Sequence, residues 1–116
     1  MKKEVLVIED DDDIRYLVEY ILKKAHYKVR LGVSANDLNV ELSAKFPDVI
    51  ILDIMLPDGN GIELCKRLKG NSLTSQIPVI LMSAHQFSNI KEACADDFIS
   101  KPFSIKEIIA SVERVS

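Results

Sequence analysis

Val5-Leu6-Val7-Ile8-Glu9-Asp10-Asp11-Asp12-Asp13 is the stretch on which the fold turns: four apolar residues run straight into five consecutive carboxylates. Five like charges in a row repel, and an apolar run of four has the length of a buried parallel strand. The pattern puts several carboxylates at the end of a core strand, where a cation would relieve them. Further along, similar runs recur at Val49 to Leu52 and Val79 to Met82, with weaker ones at Tyr27 to Leu31 and Phe98 to Ile99. Helical spacing fills the intervals. Ile14, Leu17, Val18, Ile21 and Leu22 form one apolar face of a helix from about Asp12 to Ala25. Ser34 offers an N-cap to a second helix with Leu38, Leu42 and Phe46 on one stripe, closed by Pro47. Pro57-Asp58-Gly59-Asn60-Gly61 reads as a loop before a third helix with Ile62, Leu64, Cys65 and Leu68, up to Gly70. Pro78 starts the fourth strand, and Ser104 caps a last helix carrying Ile105, Ile108, Ile109 and Val112. Only the stretch between Gln86 and Ala95 lacks a clear pattern.

Strands alternating with helices predict an α/β fold, a doubly wound five-stranded parallel sheet flanked by helices. A parallel connection needs a crossover, and the crossover is normally a right-handed helix. At 116 residues the chain, 1–116, is read as a single domain. A net charge of -3 gives no general attraction to nucleic acid or an anionic membrane. Cys65 and Cys94 stand apart without metal-ligand spacing, so they read as reduced thiols of a cytoplasmic protein. The apolar run after Met1-Lys2-Lys3-Glu4 is too short for a signal-peptide core, and no run approaches a membrane span.

In a parallel sheet the site lies at the carboxyl ends of the strands. The residues expected there are Glu9 and Asp10, Asp53, Ser83 and Lys101: three acids, a hydroxyl and a base from four separate stretches. Singly, each has a bland explanation. Asp11, Asp12 and Asp13 precede a helix, where carboxylates cap free amides and complement the dipole, and that reading suits all three. Asp53 alone could cap a loop, Ser83 could be a turn residue and Lys101 a solvated charge. Their shared edge is what argues for chemistry.

Ile8-Glu9-Asp10-Asp11, Ile51-Leu52-Asp53-Ile54-Met55-Leu56-Pro57 with Gly61 beyond, Leu81-Met82-Ser83-Ala84, and Asp96-Asp97-Phe98-Ile99-Ser100-Lys101-Pro102-Phe103 together resemble the receiver domain of two-component response regulators. The resemblance covers nearly the whole chain and implies the flavodoxin-like, CheY-like three-layer sandwich. It implies that Asp53 accepts a phosphoryl group from a sensor histidine kinase or a phosphotransfer protein. It further implies Mg2+ held by Asp10 directly, by Glu9 through water, by Asp53 and by the backbone carbonyl of Met55. Ser83 and Lys101 would bind phosphoryl oxygens, and Pro102 would follow a cis peptide bond. Phe98 matches an aromatic switch residue beside the output face. The partners implied are a phosphodonor and a downstream protein target, with the chain a monomer or a phosphorylation-dependent dimer, a signalling module and not an enzyme.

Hard oxygen donors suit Mg2+, and phosphoryl transfer needs positioning and charge neutralisation more than covalent help from the protein. A magnesium-dependent phosphohydrolase would carry a second acid where Met55 stands. A flavin mononucleotide carrier would want a Ser/Thr/Gly-rich phosphate loop in place of five acids. A pseudo-receiver that only docks a partner is the remaining alternative. Against the family pattern, Cys94 stands where a glycine is usual, and the interval from Ser83 to Phe98 is short by about one helical turn, so a stunted fourth helix is expected. Met55 and His85 occupy positions that modulate phosphoryl lifetime in the family, though His85 also reads as an exposed loop residue. The last helix runs almost to the final residue, which suits either a stand-alone receiver or a piece of a longer regulator.

Overall fold

A computed structural model describes residues 2–84 and 95–116 of the chain. Cys94, His85 and the shortened fourth helix lie outside the described residues. The elements run β1 (Glu4–Ile8), α1 (Asp12–Lys24), β2 (Lys28–Gly32), α2 (Ala35–Ala44), β3 (Val49–Asp53), β4 (Met55–Leu56), β5 (Gly59–Asn60), α3 (Gly61–Lys69), β6 (Val79–Ser83), β7 (Asp97–Ser100) and α4 (Ile105–Val115). Five strands form one sheet in the order β2-β1-β3-β6-β7. Every pairing in it is parallel.

Strand alternation builds the layers. On one side Leu6, Ile8, Ile50, Leu52, Val79 and Leu81 meet Leu38 of α2 and Leu64, Cys65 and Leu68 of α3. On the other Val5, Val7, Val49, Ile51, Ile80 and Met82 meet Val18, Ile21 and Leu22 of α1 and Ile108 and Val112 of α4. β1 is therefore buried on both faces, which its unbroken apolar run required. Burying each such side chain contributes roughly 1.5–3 kcal/mol before chain entropy is charged against it.

Each described helix starts on a polar cap. Ile14 N–H donates to Asp11 Oδ1 at 3.0 Å, Asp37 N–H to Ser34 Oγ at 3.1 Å, Ile62 N–H to Asn60 Oδ1 at 2.8 Å and Glu107 N–H to Ser104 Oγ at 3.1 Å. A cap of this kind stabilises a helix by about 1 kcal/mol. Here it also fixes where the chain turns after leaving a strand. Among the described residues no helix is long and apolar enough to cross a membrane.

Three residues on the expected apolar stripes are exposed. Leu17 is 47% exposed because the buried face of α1 is turned toward Val18, Ile21, Leu22 and, unexpectedly, Arg15. Phe46 is 46% exposed, since α2 ends at Ala44 and Lys45 is extended, so the helical phase never reaches it. Ile105, the first residue of α4, is 58% exposed, one turn ahead of buried Ile108. The expected loop at 57–61 is in part a small antiparallel hairpin, pairing Met55 with Asn60 and Leu56 with Gly59.

Candidate functional site

Sheet-like hydrogen bonds extend past the carboxyl ends of the strands and place the candidate residues. Glu9 N–H donates to Gly32 O at 3.0 Å, Ile54 N–H to Met82 O at 3.0 Å and Lys101 N–H to Ser83 O at 2.8 Å. Glu9, Asp53 and Lys101 thus leave β1, β3 and β7 at the same end of the sheet. Their side chains meet. Lys101 Nζ donates to Glu9 Oε1 at 2.5 Å and to Asp53 Oδ2 at 3.3 Å. Asp53 Oδ1 accepts from Met55 N–H at 3.2 Å, and Glu9 Oε2 from Asp11 N–H at 3.2 Å.

One carboxylate oxygen each from Glu9, Asp10 and Asp53 lies within 4.8 Å of the others. Glu9 and Asp53 are buried and Asp10 is exposed. Together with Asp11, Ile14, Met55, Ala84 and Lys101 they line a cleft of about 410 Å³. Burial, and then the nearby Asp53 carboxyl, push Glu9 up to about 7, although Lys101 and the Asp11 amide pull the other way. Burial pulls Lys101 down, but its contacts with Glu9 and Asp53 outweigh that and raise it. One ammonium is shared by two buried carboxylates with a third close by, and it cannot neutralise them all. The remaining negative charge and the all-oxygen donor set fit a hard divalent cation such as Mg2+.

Of the other expected residues, Ser83 is fully buried at the end of β6, paired in register with Ser100. The Lys101–Pro102 peptide bond is cis. Phe98 is half-buried on β7, packed against the cluster shared with α2 and α3. Met55 stands 61% exposed at the cleft. Asp11 is the cap of α1, and Asp12 pairs with Arg15, as helix-start residues should.

Three residues have supporting roles that the sequence did not assign them. Arg15 is buried on α1, where Nη1 donates to Glu9 O at 3.0 Å and Nη2 to Asp12 Oδ1, bracing the backbone that carries the acids. A lone arginine in an apolar stripe reads as solvated, and only its three-residue spacing from Asp12 hinted otherwise. Asp58 accepts from Ala35 N–H at 2.7 Å and Asn36 N–H at 3.0 Å, fastening the hairpin after Asp53 to the start of α2. Gly61 packs so tightly that a Cβ there would lie 2.4 Å from Asp53 O, so only glycine leaves the Asp53 backbone undisturbed.

The sequence profile described as response regulator receiver domain matches residues 5–113. The chain is 38% identical over 122 residues to the phosphate regulon transcriptional regulatory protein PhoB of Escherichia coli K12, covering 99% of this chain and 52% of that protein. It is 33% identical to the alkaline phosphatase synthesis transcriptional regulatory protein PhoP of Bacillus subtilis 168, covering 99% and 49%. The chain spans about half the length of these curated relatives. Among solved structures, the signal receiver domain of a signal transduction histidine kinase from Syntrophus aciditrophicus superposes with a TM-score of 0.89 at 31% identity, covering 97% of this chain and 89% of that one. A match running almost from end to end, on a parallel sheet whose carboxyl edge gathers acids and a lysine, shows that the chain belongs to the response regulator receiver domains of two-component signalling.

Proposed function

We propose that Asp53 is the phosphoacceptor and that residues 1–116 act as one switching unit. The observation that carries this reading is the position of its carboxylate, buried yet opening on the cleft, with Lys101 Nζ 3.3 Å from Oδ2 and Met55 N–H on Oδ1. The donor is a phosphohistidine of a sensor kinase or a phosphotransfer protein. Its P–N bond breaks as an Asp53 oxygen forms the new P–O bond, and the histidine nitrogen leaves with the electron pair. Lys101 then pairs with a phosphoryl oxygen, and the Ser83 hydroxyl donates to another. Asp10, Asp53 and the Met55 carbonyl would hold Mg2+, with Glu9 reaching it through water. Bound there, Mg2+ supplies positive charge against the oxygens of the transferring group.

The new group brings a charge of roughly -1.5 to -2 and three acceptor oxygens. Drawing Ser83 toward it opens space beside Phe98, whose half-buried ring rotates inward and moves the β7–α4 face, where a downstream protein reads the state. The test is incubation with a small phosphodonor and Mg2+ followed by intact mass. Wild type gains one phosphoryl group, while Asp53→Asn and metal-depleted samples gain none. An equal gain in Asp53→Asn overturns the assignment.

A further inference from the structure

The opposite end of the sheet carries a surface that the phosphoacceptor chemistry does not use. Leu42, Phe46, Leu68 and Leu73 line a groove of about 340 Å³ between α2, α3 and the turn after α3. Leu73 is 71% exposed and Phe46 46%, so the two outermost apolar groups of the groove face water. The only charged side chain among its described lining residues is Arg67. Phe46 is also a wall of a second hollow, of about 400 Å³, lined by Lys2, Lys28 and Lys45 together with Glu4 and Asp48. Glu4 is paired with a cation, while Asp48 is hydrogen-bonded but keeps its charge, so the three lysines exceed the one acid not paired. Glu4 faces Arg30 with 3.4 Å between Oε1 and Nε, and Asp48 Oδ2 accepts Glu4 N–H at 2.7 Å. Among the described residues no ion pair involves Lys2, Lys28 or Lys45.

Lysines at the ends of helices are ordinary complements to the dipole, and that accounts for Lys45 at the end of α2. It does not account for Lys2 or Lys28, which lie just before and at the start of strands. Scattered apolar residues on a surface also need no explanation. Here, however, an aromatic wall joins an apolar groove to a basic hollow. A ligand filling both presents a large apolar side chain to Leu42, Phe46 and Leu73 and carboxylates to Lys2, Lys28 and Lys45. We propose that the amino end of the sheet, with Phe46 at its centre, is a docking surface for an acidic peptide segment bearing a bulky apolar anchor. Apolar burial supplies the attachment, and the lysines speed encounter and select the sign of charge.

The test is fluorescence anisotropy of the whole chain with a short fluorescein-labelled peptide in which a Leu-Phe pair is flanked by runs of glutamate. Saturable binding is expected, weakening as salt rises and lost when the Leu-Phe pair is replaced by alanines or the glutamates by lysines. Leu73→Ser and Lys28→Glu, both at exposed positions, should each weaken binding about tenfold, as removal of a principal contact does. Both variants should accept phosphoryl on Asp53 as wild type does, which separates this surface from the phosphoacceptor site. If Leu73→Ser fails to fold by circular dichroism, Phe46→Ser tests the same wall. Absence of saturable binding, or binding unchanged in both variants, overturns the proposal. So does sedimentation showing that the same residues join two copies of this chain, or tighter binding of duplex DNA that Lys28→Glu abolishes.

Discussion

Glu9 and Asp97 are carboxylates of the same sheet with opposite fates. Glu9 follows β1, is fully buried, and is pushed up to about 7 by burial and by Asp53, with one lysine shared between the two. Asp97 opens β7. Burial pushes it up as well, but Ser111 and Arg114 outweigh this and hold it below the ordinary carboxylate range. Ser111 Oγ donates to Asp97 Oδ2 at 2.6 Å and Arg114 Nη2 at 2.5 Å. One carboxylate has a cation and a hydroxyl to itself, and the others must share. The difference separates a finished structural contact from a site left short of positive charge, where a divalent ion and a phosphoryl group have room to act.

Removing the shared cation should break the contrast most severely. Lys101→Met leaves Glu9 and Asp53 buried against each other, and without metal the protein should lose roughly 3–5 kcal/mol of stability by urea unfolding. Millimolar Mg2+ should restore part of that loss. An unchanged midpoint without metal would show that the lysine neutralises nothing.

A pH series reads both sites at once. Glu9 binds its proton more tightly folded than unfolded between 4.5 and about 7, so its contribution to stability falls as pH rises through that window. In metal-free buffer the decline should be up to about 3 kcal/mol, and Mg2+ affinity should strengthen as Glu9 ionises. Added Mg2+ should flatten the decline. Asp97 behaves in the reverse sense. Its contribution is present above 3.8 and is lost as pH falls below that value. Stability by thermal unfolding should therefore fall toward strong acid on one account and toward neutral pH on the other.

The smallest effect is expected at the satisfied site. Ser111→Ala removes one donor to Asp97 and should cost about 1 kcal/mol in unfolding free energy. Mg2+ affinity and phosphoryl uptake should stay as in wild type. A large change in either would mean that β7 transmits the loss to Lys101.

Most of the architecture was legible because it depends on short-range pattern. Val5 to Ile8, Val49 to Leu52 and Val79 to Met82 could only be strands buried on both faces, and Ser34 and Ser104 announced helix starts. Legibility failed where a helix face had to be aimed. Periodicity places Leu17 and Arg15 only relative to their own helix, and packing against the sheet turned the first outward and the second in. Phe46 kept its place on a stripe until the chain left the helix before reaching it.

The site divides in the same way. Which groups gather at the carboxyl edge followed from residue type and strand-end position: Glu9, Asp10, Asp53 and Lys101 meet at the cleft, and Ser83 ends β6, as one chain let them be read. Their electrostatic state did not. Lys101 bonds Glu9 across 92 residues and Asp53 across 48, and Arg15 and Gly61 hold the backbones from which the acids project. A carboxyl's proton affinity depends on burial and on charges a few ångströms away, and sequence separation carries no information about either. The order of residues set the candidates, and only folding decided that two buried carboxylates would share one lysine with a third carboxylate close by.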